Sequence, residues 1–562
     1  MAQERGQSLG AEQEVPVLII GGSLVGLSTS MFLGLHCIPC LSVEKHRGTA
    51  IHPRAGYFQL RTLELMRIAG IEDRVISAAH ALYDPNGGFV AVETLVGREI
   101  TSYMPDINQG IEDVSPARRL FMPQQVLEPL IKDRAIELGS RLEYSTELIS
   151  FEQDATGITA RVRHLDTQRE SRIRARYLVA CDGNRSPVRE ALGIAMPGHP
   201  VMSNSITIYF RADCSRALRG RNLGVIYVNS AQLRGFFRLE KTGQGGFLVI
   251  FTVGDISDPA ARNAASDLSV ERATQYVREA VGEPDLAVQV EDVASWVAVS
   301  RAAERYQQDR VFIAGDAAHH MPPTGGFNGN TGIQDAHNLA WKLACVIRGE
   351  AGPALLDTYD KERQPVGVLA MEQAYQRYVT RSDPDLGTTG VQKAVPDMHV
   401  EYNRYRSPAV VHDAAYRDDG AADIDPRRSL ALPGTRAPHL ELRRDGQLIS
   451  SLDLYGRGFV LMASAEGANW TGAAAQTTAS LHVPITVHIV GRPGTAGALL
   501  DLPPHRRTAG TLFSRAFPEA HGISPSGAVL VRPDGYVGWR AAQHTPDAAA
   551  GLAAALRQIL SR

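Results

Sequence analysis

The stretch Val15-Pro16-Val17-Leu18-Ile19-Ile20-Gly21-Gly22-Ser23-Leu24-Val25-Gly26 decides how this chain begins to fold. It opens with a short apolar run that ends in glycine, the pattern of a buried strand. A helix is expected from Leu24 to about Leu35, and residues 41–44 (LSVE) form the next strand. This is the start of a parallel β-α-β unit. The loop departs from the dinucleotide pattern G-x-G-x-x-G at one place, where Ser23 replaces the middle glycine. Gly21 allows the tight turn, and Gly26 lets the helix pack closely on the sheet. The amides of Ser23, Leu24 and Val25 and the positive helix end then face a pyrophosphate. Serine is small, so a close backbone approach stays open. Glu44 closes the second strand 23 residues after Gly21, where an acid accepts hydrogen bonds from an adenosine ribose. Lys45 beside it joins the candidate cofactor contacts. An acid here disfavours a 2′-phosphate, so the dinucleotide is FAD or NAD. The alternative is a tight turn with no ligand.

Working outward, 562 residues suggest several domains. With 44% hydrophobic and 21% charged residues there is material for a large core. A net charge of -3 leaves no basic footprint for nucleic acid or an anionic membrane. Five cysteines, Cys37, Cys40, Cys181, Cys214 and Cys345, argue for a reducing compartment. The polar N-terminus lacks the pattern of a secretory signal, and no segment approaches the ~18 apolar residues of a membrane span. The expectation is a soluble, cytoplasmic protein, monomeric or homodimeric. Residues 1–14 are expected to be disordered. Residues 15–195 and 301–385 should form an interrupted nucleotide-binding domain, with helices over 61–80 (broken at Gly70) and 123–139 (stopped by Gly139). Short aromatic and β-branched strands between Gly-rich turns predict a mostly antiparallel sheet domain over 196–300. Residues 386–435 read as a surface linker and 436–562 as a C-terminal α/β domain.

Three further segments belong with the first loop: YLVACDGNRS at 177–186, RVFIAGDAAH at 310–319, and MPPTGGFNGNTGIQDA at 321–336. Together they resemble the three motifs of the class A, single-component FAD-dependent aromatic hydroxylases, and most of all the tetracenomycin-hydroxylase-like branch that acts on aromatic polyketides. The resemblance runs from about residue 15 to 380. It implies a Rossmann-like FAD-binding domain of the glutathione-reductase type with an inserted substrate sheet. It also implies FAD, NADPH or NADH as reductant, and O2 with an aromatic polyketide or other phenol as substrates. Asp316 would accept a hydrogen bond from the flavin ribityl chain. Pro323, Gly326 and Gly329 would bring backbone close to the isoalloxazine, where a side chain would block the approach. A helix starting near Asn330 or Thr331 would aim its positive end at the pyrimidine edge. Asp182 would serve FAD and nicotinamide, or else cap a helix. Gln124 and Arg54 match cofactor contacts, or are surface residues. Asn328 stands where many relatives have glycine, so the flavin contact there can differ. No second dinucleotide pattern exists for the nicotinamide, as the family implies. Phe459-Val460-Leu461 and residues 527–535 resemble the thioredoxin-like domain that ends larger members; with no cysteine after Cys345, it has no dithiol chemistry.

The flavin C4a position, as its hydroperoxide, would carry the oxygen transfer, so no catalytic side chain is assigned. The pocket should lie between the inserted sheet and the flavin, with Tyr209, Tyr227, Phe236 and Phe247 as wall candidates. Strand alternation suggests that half of these face away. Tyr227, Phe236, Met321 and Pro322 are the substrate candidates. No metal is expected: Cys37-Ile38-Pro39-Cys40 reads as core packing and His319-His320 as pocket lining. Asn469-Trp470-Thr471 reads as an unmodified sequon. Hydroxylation, a Baeyer–Villiger or ring-rearranging oxidation, a flavoprotein that shelters a reactive intermediate without turnover, and an FAD-linked dehydrogenase or reductase stay open.

Overall fold

A computed structural model describes residues 13–52, 54–231, 233–251, 268–413, 416–491, 499–501 and 515–562. The expected disordered N-terminus therefore lies almost wholly outside the described residues; the first strand is Gln13–Ile20. It is the centre of a parallel sheet, flanked by Cys40–Val43 on one side and Glu170–Ala180 on the other. Val311–Ile313 and Arg141–Glu143 continue the sheet outward, both parallel. Helices cover the sheet, so Val17, Leu18 and Ile19 are wholly buried, which is why the run reads as continuous rather than alternating. The helix Leu24–Leu35 is sandwiched between Phe327–Ile347 and Gln124–Glu137. This order brings the carboxyl ends of three strands together, where open α/β sheets place their ligands.

The helices over 61–80 and 123–139 form as Leu60–Ala69, Glu72–Leu82 and Gln124–Glu137, with Gly70 and Gly139 left-handed at their ends. The helix of the third motif starts earlier than expected. It runs Phe327–Ile347 from the left-handed Gly326, three residues ahead of Asn330.

The second sheet has seven strands, five of them between residues 203 and 298. The other two come from outside the expected 196–300 unit. Gly88–Val92 pairs in parallel with Leu223–Asn229, and Glu99–Met104 pairs with Gly88–Val92. Every residue of Gly88–Val92 is buried, so the alternation that marks a strand is missing from its sequence. On one face Ile208, Phe210, Val228 and Phe237 pack with Ala273, Val277 and Val281 of the helix Val270–Val281. Tyr209, Tyr227, Phe236 and Phe247 all lie on the other face. The expectation that half would turn away fails because the register pairs Tyr209 with Phe247 and Tyr227 with Phe236, and cross-strand partners share a face.

The stretch over 386–435 is less of a surface linker than its polarity suggests. Glu401, Tyr402, Asn403 and Tyr405 are buried, and Glu401 accepts from Arg119 at 2.7 Å. The C-terminal unit is a seven-stranded mixed sheet whose core order is Val537–Ala541, Ala528–Val531, Phe459–Ser464, Ile485–Gly491. Phe459–Ser464 runs antiparallel to Ala528–Val531 and parallel to Ile485–Gly491, the thioredoxin-like arrangement. Its turn at 532–536 plugs into the first domain. Arg532 donates to Glu362 of the helix Asp357–Arg381 at 2.6 Å, Trp341 Nε1 donates to Asp534 at 3.2 Å, and the Tyr536 ring stacks on Tyr405 at 4.1 Å. No helix among the described residues is long and apolar enough to cross a membrane.

Candidate functional site

Three turns meet at the carboxyl edge of the parallel sheet. Gly21 is left-handed at φ +111°, and a Cβ there would sit 2.2 Å from the Cys181 carbonyl oxygen. A Cβ on Gly26 would sit 1.9 Å from the Gly21 carbonyl oxygen, and one on Gly315 would sit 2.6 Å from Val25. The first loop, the Asp182 turn and the Asp316 turn therefore touch one another. Each glycine is required by a neighbour rather than by local turn geometry alone.

The first loop is tied down from below. Gly22 donates its amide to Glu44 at 2.7 Å, and the same carboxylate takes the His46 amide at 2.8 Å. Ser23 Oγ donates to Glu128 at 2.5 Å and accepts from Gln124 at 3.1 Å. Gln124 also donates to Glu128 at 2.6 Å, and Ala50 N donates to Glu128 at 2.7 Å. Ser23 thus fills the glycine position with a hydroxyl built into a clamp. Glu128, wholly buried, is its hub, a role that none of the motifs assigns to it. The available signal was its place one helical turn after Gln124. Leu24 is buried and Val25 half-buried behind the loop. Lys45 and Arg54 are exposed on the loop above. That loop is held to the second sheet by His52, which stacks on Tyr209 at 5.0 Å and approaches Asp292 at 3.0 Å.

Asp182 accepts from Val188 N at 3.1 Å, so it caps the short helix Pro187–Ala191. Its other oxygen, Oδ1, is buried without a partner, and burial pushes the carboxyl above its ordinary range. The cap is therefore present on one oxygen, and the other has no hydrogen-bond partner among the described residues. Asp316 is exposed, and its Oδ1 accepts from Asn328 at 2.9 Å. Asn328 Oδ1 lies 2.9 Å from His319, whose other ring nitrogen lies 2.9 Å from Asp335. Asp335 also accepts from Gly315 N at 3.2 Å and Arg363 at 2.8 Å. Burial opposes the charge on Asp335, yet Arg363 and His319 hold its pKa below the usual range. Asn328, the departure from glycine, is thus the link between the Asp316 carboxylate and a buried ion pair. His319 is wholly buried in this chain rather than lining a pocket. His320 contacts the Asp316 carbonyl at 2.7 Å.

Gly325 and Gly326 are left-handed, and a Cβ on Gly326 would press 2.8 Å from Tyr57. A Cβ on Gly329 would meet Leu24 at 3.1 Å. Asn330 spends its side chain on structure: it accepts from Gln59 N and Thr62 and donates to the Tyr57 and Gly326 carbonyls. Only its backbone remains for a ligand at the helix start. Pro322 is buried and Pro323 exposed. Tyr227 and Phe236 share the aromatic face, whereas Met321 packs around Phe327, Ala370 and Ala374. Cys37 and Cys40 are both free, the first exposed and the second buried, and Cys40 donates to Ser140 rather than facing Cys37.

The donor set fits an extended, pyrophosphate-linked aromatic cofactor. It combines a glycine loop at a helix N-terminus, one orphaned buried carboxylate oxygen, one exposed carboxylate and a left-handed glycine pair. Comparison with known proteins agrees. Residues 14–374 match a family described as FAD binding domain, and residues 430–562 match one described as aromatic-ring hydroxylase, C-terminal. A 4-methyl-5-nitrocatechol 5-monooxygenase of Burkholderia sp is 47% identical over 98% of this chain and 98% of its own. The tetracenomycin A2 monooxygenase-dioxygenase of Streptomyces glaucescens is 37% identical, covering 98% and 97%. A crystal structure of aklavinone-11 hydroxylase with FAD and aklavinone superposes with a TM-score of 0.89 at 34% identity, over 98% of this chain and all of that one.

Proposed function

Since the chain belongs to the family of FAD-binding aromatic-ring hydroxylases, we propose that it is an FAD-dependent monooxygenase that takes electrons from NADPH or NADH and places oxygen from O2 on an aromatic polyketide or other phenol. The observation that carries this reading is the meeting of the Gly21, Asp182 and Asp316 turns at one sheet edge, next to a sheet face lined by Tyr209, Tyr227, Phe236 and Phe247.

Bound FAD would supply electron transfer and oxygen activation. The side chains supply the rest. Gly21, Ser23, Leu24, Val25 and Gly26 would present amides to the pyrophosphate, with Glu44 and Lys45 at the adenosine end. Gln124 would approach from the clamp beneath the loop, and Asp182 Oδ1 would accept from the cofactor. Asp316, oriented by Asn328, would hold the ribityl chain. Pro323, Gly326, Gly329 and the Asn330 backbone would sit against the ring system, where the positive helix end favours negative charge. Arg54, on a loop that His52 pins to the sheet, would cover the ring from the solvent side. The aromatic face of the second sheet would exclude water and orient the substrate. Five free thiols fit a reducing compartment such as the cytoplasm.

The test is anaerobic reduction of the purified yellow protein by NADPH, with and without 4-nitrocatechol or a phenolic polyketide, followed by O2 and product mass. A ligand should speed flavin reduction, and the product should gain one oxygen. A colourless protein that refuses FAD, or reduction that no ligand alters with no oxygenated product, would overturn it.

A further inference from the structure

Arg238 lies on the strand Arg234–Leu239 opposite Phe247, on the aromatic face of the second sheet. It is only 5% exposed. Its Nε donates to the Gly224 carbonyl at 3.0 Å, and its Nη1 donates to the Gly56 carbonyl. Its guanidinium sits over the ring of Phe121 at 4.8 Å, with Phe247 and Tyr83 each at 5.9 Å. Its Nη2 donates no hydrogen bond to any described residue, and no described carboxylate pairs with it. Four other buried arginines, Arg61, Arg119, Arg363 and Arg532, each hold a carboxylate, at 2.9, 2.7, 2.8 and 2.6 Å, and buried Arg189 donates from both Nη atoms to the Ala317 and Asn184 carbonyls. A buried cation normally has a counter-charge. Ring faces compensate only part of that loss. Tyr83, Tyr227 and Tyr57 are the titratable groups that face it, and burial pulls its pKa below the ordinary value.

The position matters as much as the missing partner. Gly56 precedes Tyr57, against which Gly326 of the glycine run is packed. The cation therefore sits where the aromatic face meets the segment expected to carry the isoalloxazine. We propose that Arg238 is the anion-recognising residue of the substrate chamber, and that the ring enters as a phenolate whose oxygen accepts from the free Nη2 edge. The phenol has given its proton to solvent before it binds. The bound oxyanion pushes electron density onto the ring carbons beside and opposite it, which suits a substrate that must attack an electrophilic oxygen. The inference rests on the monooxygenase reading. It narrows the substrate class to phenols acidic enough to ionise near neutral pH.

The test uses holoenzyme and two probes, 4-nitrocatechol and its dimethyl ether, which keeps the nitro ring but has no ionisable oxygen. Binding is followed by perturbation of the flavin spectrum, and FAD affinity is measured separately. The wild type should prefer 4-nitrocatechol. In Arg238→Met its dissociation constant should rise roughly 10- to 100-fold, as expected for a lost charge-assisted hydrogen bond, while the ether changes by less than about threefold and FAD affinity holds. Arg238→Lys, which keeps the charge but loses the fork, should fall between. Equal losses for both probes would overturn the proposal, as would a wild type that does not distinguish them. Loss of FAD affinity in place of phenol affinity would make Arg238 a flavin partner and also overturn it. If Arg238→Met does not fold, the wild-type preference and the Lys variant decide by the same criteria. A wild type that binds no FAD at all would sink the monooxygenase reading itself, an outcome separate from these.

Discussion

Glu128 shows how much one buried carboxylate can organise. It accepts from Ser23, Gln124 and the Ala50 amide, so it joins the dinucleotide loop, the helix beneath it and the loop that leads to Arg54. Replacing it by leucine keeps the volume and strands all three donors. Each unsatisfied buried group costs about 1–3 kcal/mol. Glu128→Leu should therefore unfold at a clearly lower temperature, with stability reduced by about 3 kcal/mol. Its FAD affinity should fall ~10-fold or more by fluorescence titration. An unchanged affinity would show that the loop holds its shape without the clamp. The turns that carry Gly21, Gly26, Glu44, Asp182 and Asp316 to one sheet edge were legible because they are written in local spacing. Glu128, His52 and Asp335 were not. Ser23, Asp292 and His319 lie 105, 240 and 16 positions from them in the chain, and apart from Gln124, one turn before Glu128, nothing in the adjacent sequence marks them.

At the scale of elements, the helix Leu24–Leu35 is placed by an absence. A methyl on Gly26 would collide with the Gly21 carbonyl, and backbone on both sides leaves nothing to give way. Gly26→Ala should fold around an otherwise intact sheet but purify without FAD, which absorbance at the flavin bands measures. Stoichiometric yellow protein from that variant would contradict this account. The β-α-β opening was readable because an apolar run, a glycine turn and an apolar helix follow in order. Two other elements were not. Gly88–Val92 is buried on both faces, and period-two reasoning has nothing to detect in such a strand. The start of Phe327–Ile347 hides in Gly-Gly-Phe-Asn-Gly-Asn, a string of poor helix formers. It is helical because the left-handed Gly326 caps it and tertiary contacts hold Asn330.

For the molecule as a whole, the C-terminal domain is docked by a shared apolar core and by buried charge. Arg532 and Glu362 are both wholly buried, with Lys342 at 2.8 Å from the same carboxylate. Burial opposes the charge on Glu362, but Arg532 and Lys342 hold its pKa well below the usual carboxylate range. The same burial draws Lys342 down to about 8. Arg532→Met removes one side of the cluster and leaves Asp534 and part of Glu362 uncompensated, a loss of about 3–5 kcal/mol. Calorimetry should show an earlier transition, and a protease should cut within 384–392, which is mostly exposed, before the rest. An unaltered melt and digestion pattern would mean that the domain is held by its apolar contacts alone. Whole-molecule organisation was the least legible level, since the partners Arg532 and Glu362 lie 170 positions apart in the chain. The parallel pairing of Gly88–Val92 with Leu223–Asn229 carries a practical lesson for anyone recombining these enzymes. A chimera that grafts only residues 196–300 from a relative would leave the host's two edge strands facing a foreign neighbour, so an exchangeable specificity cassette has to carry 88–104 with it.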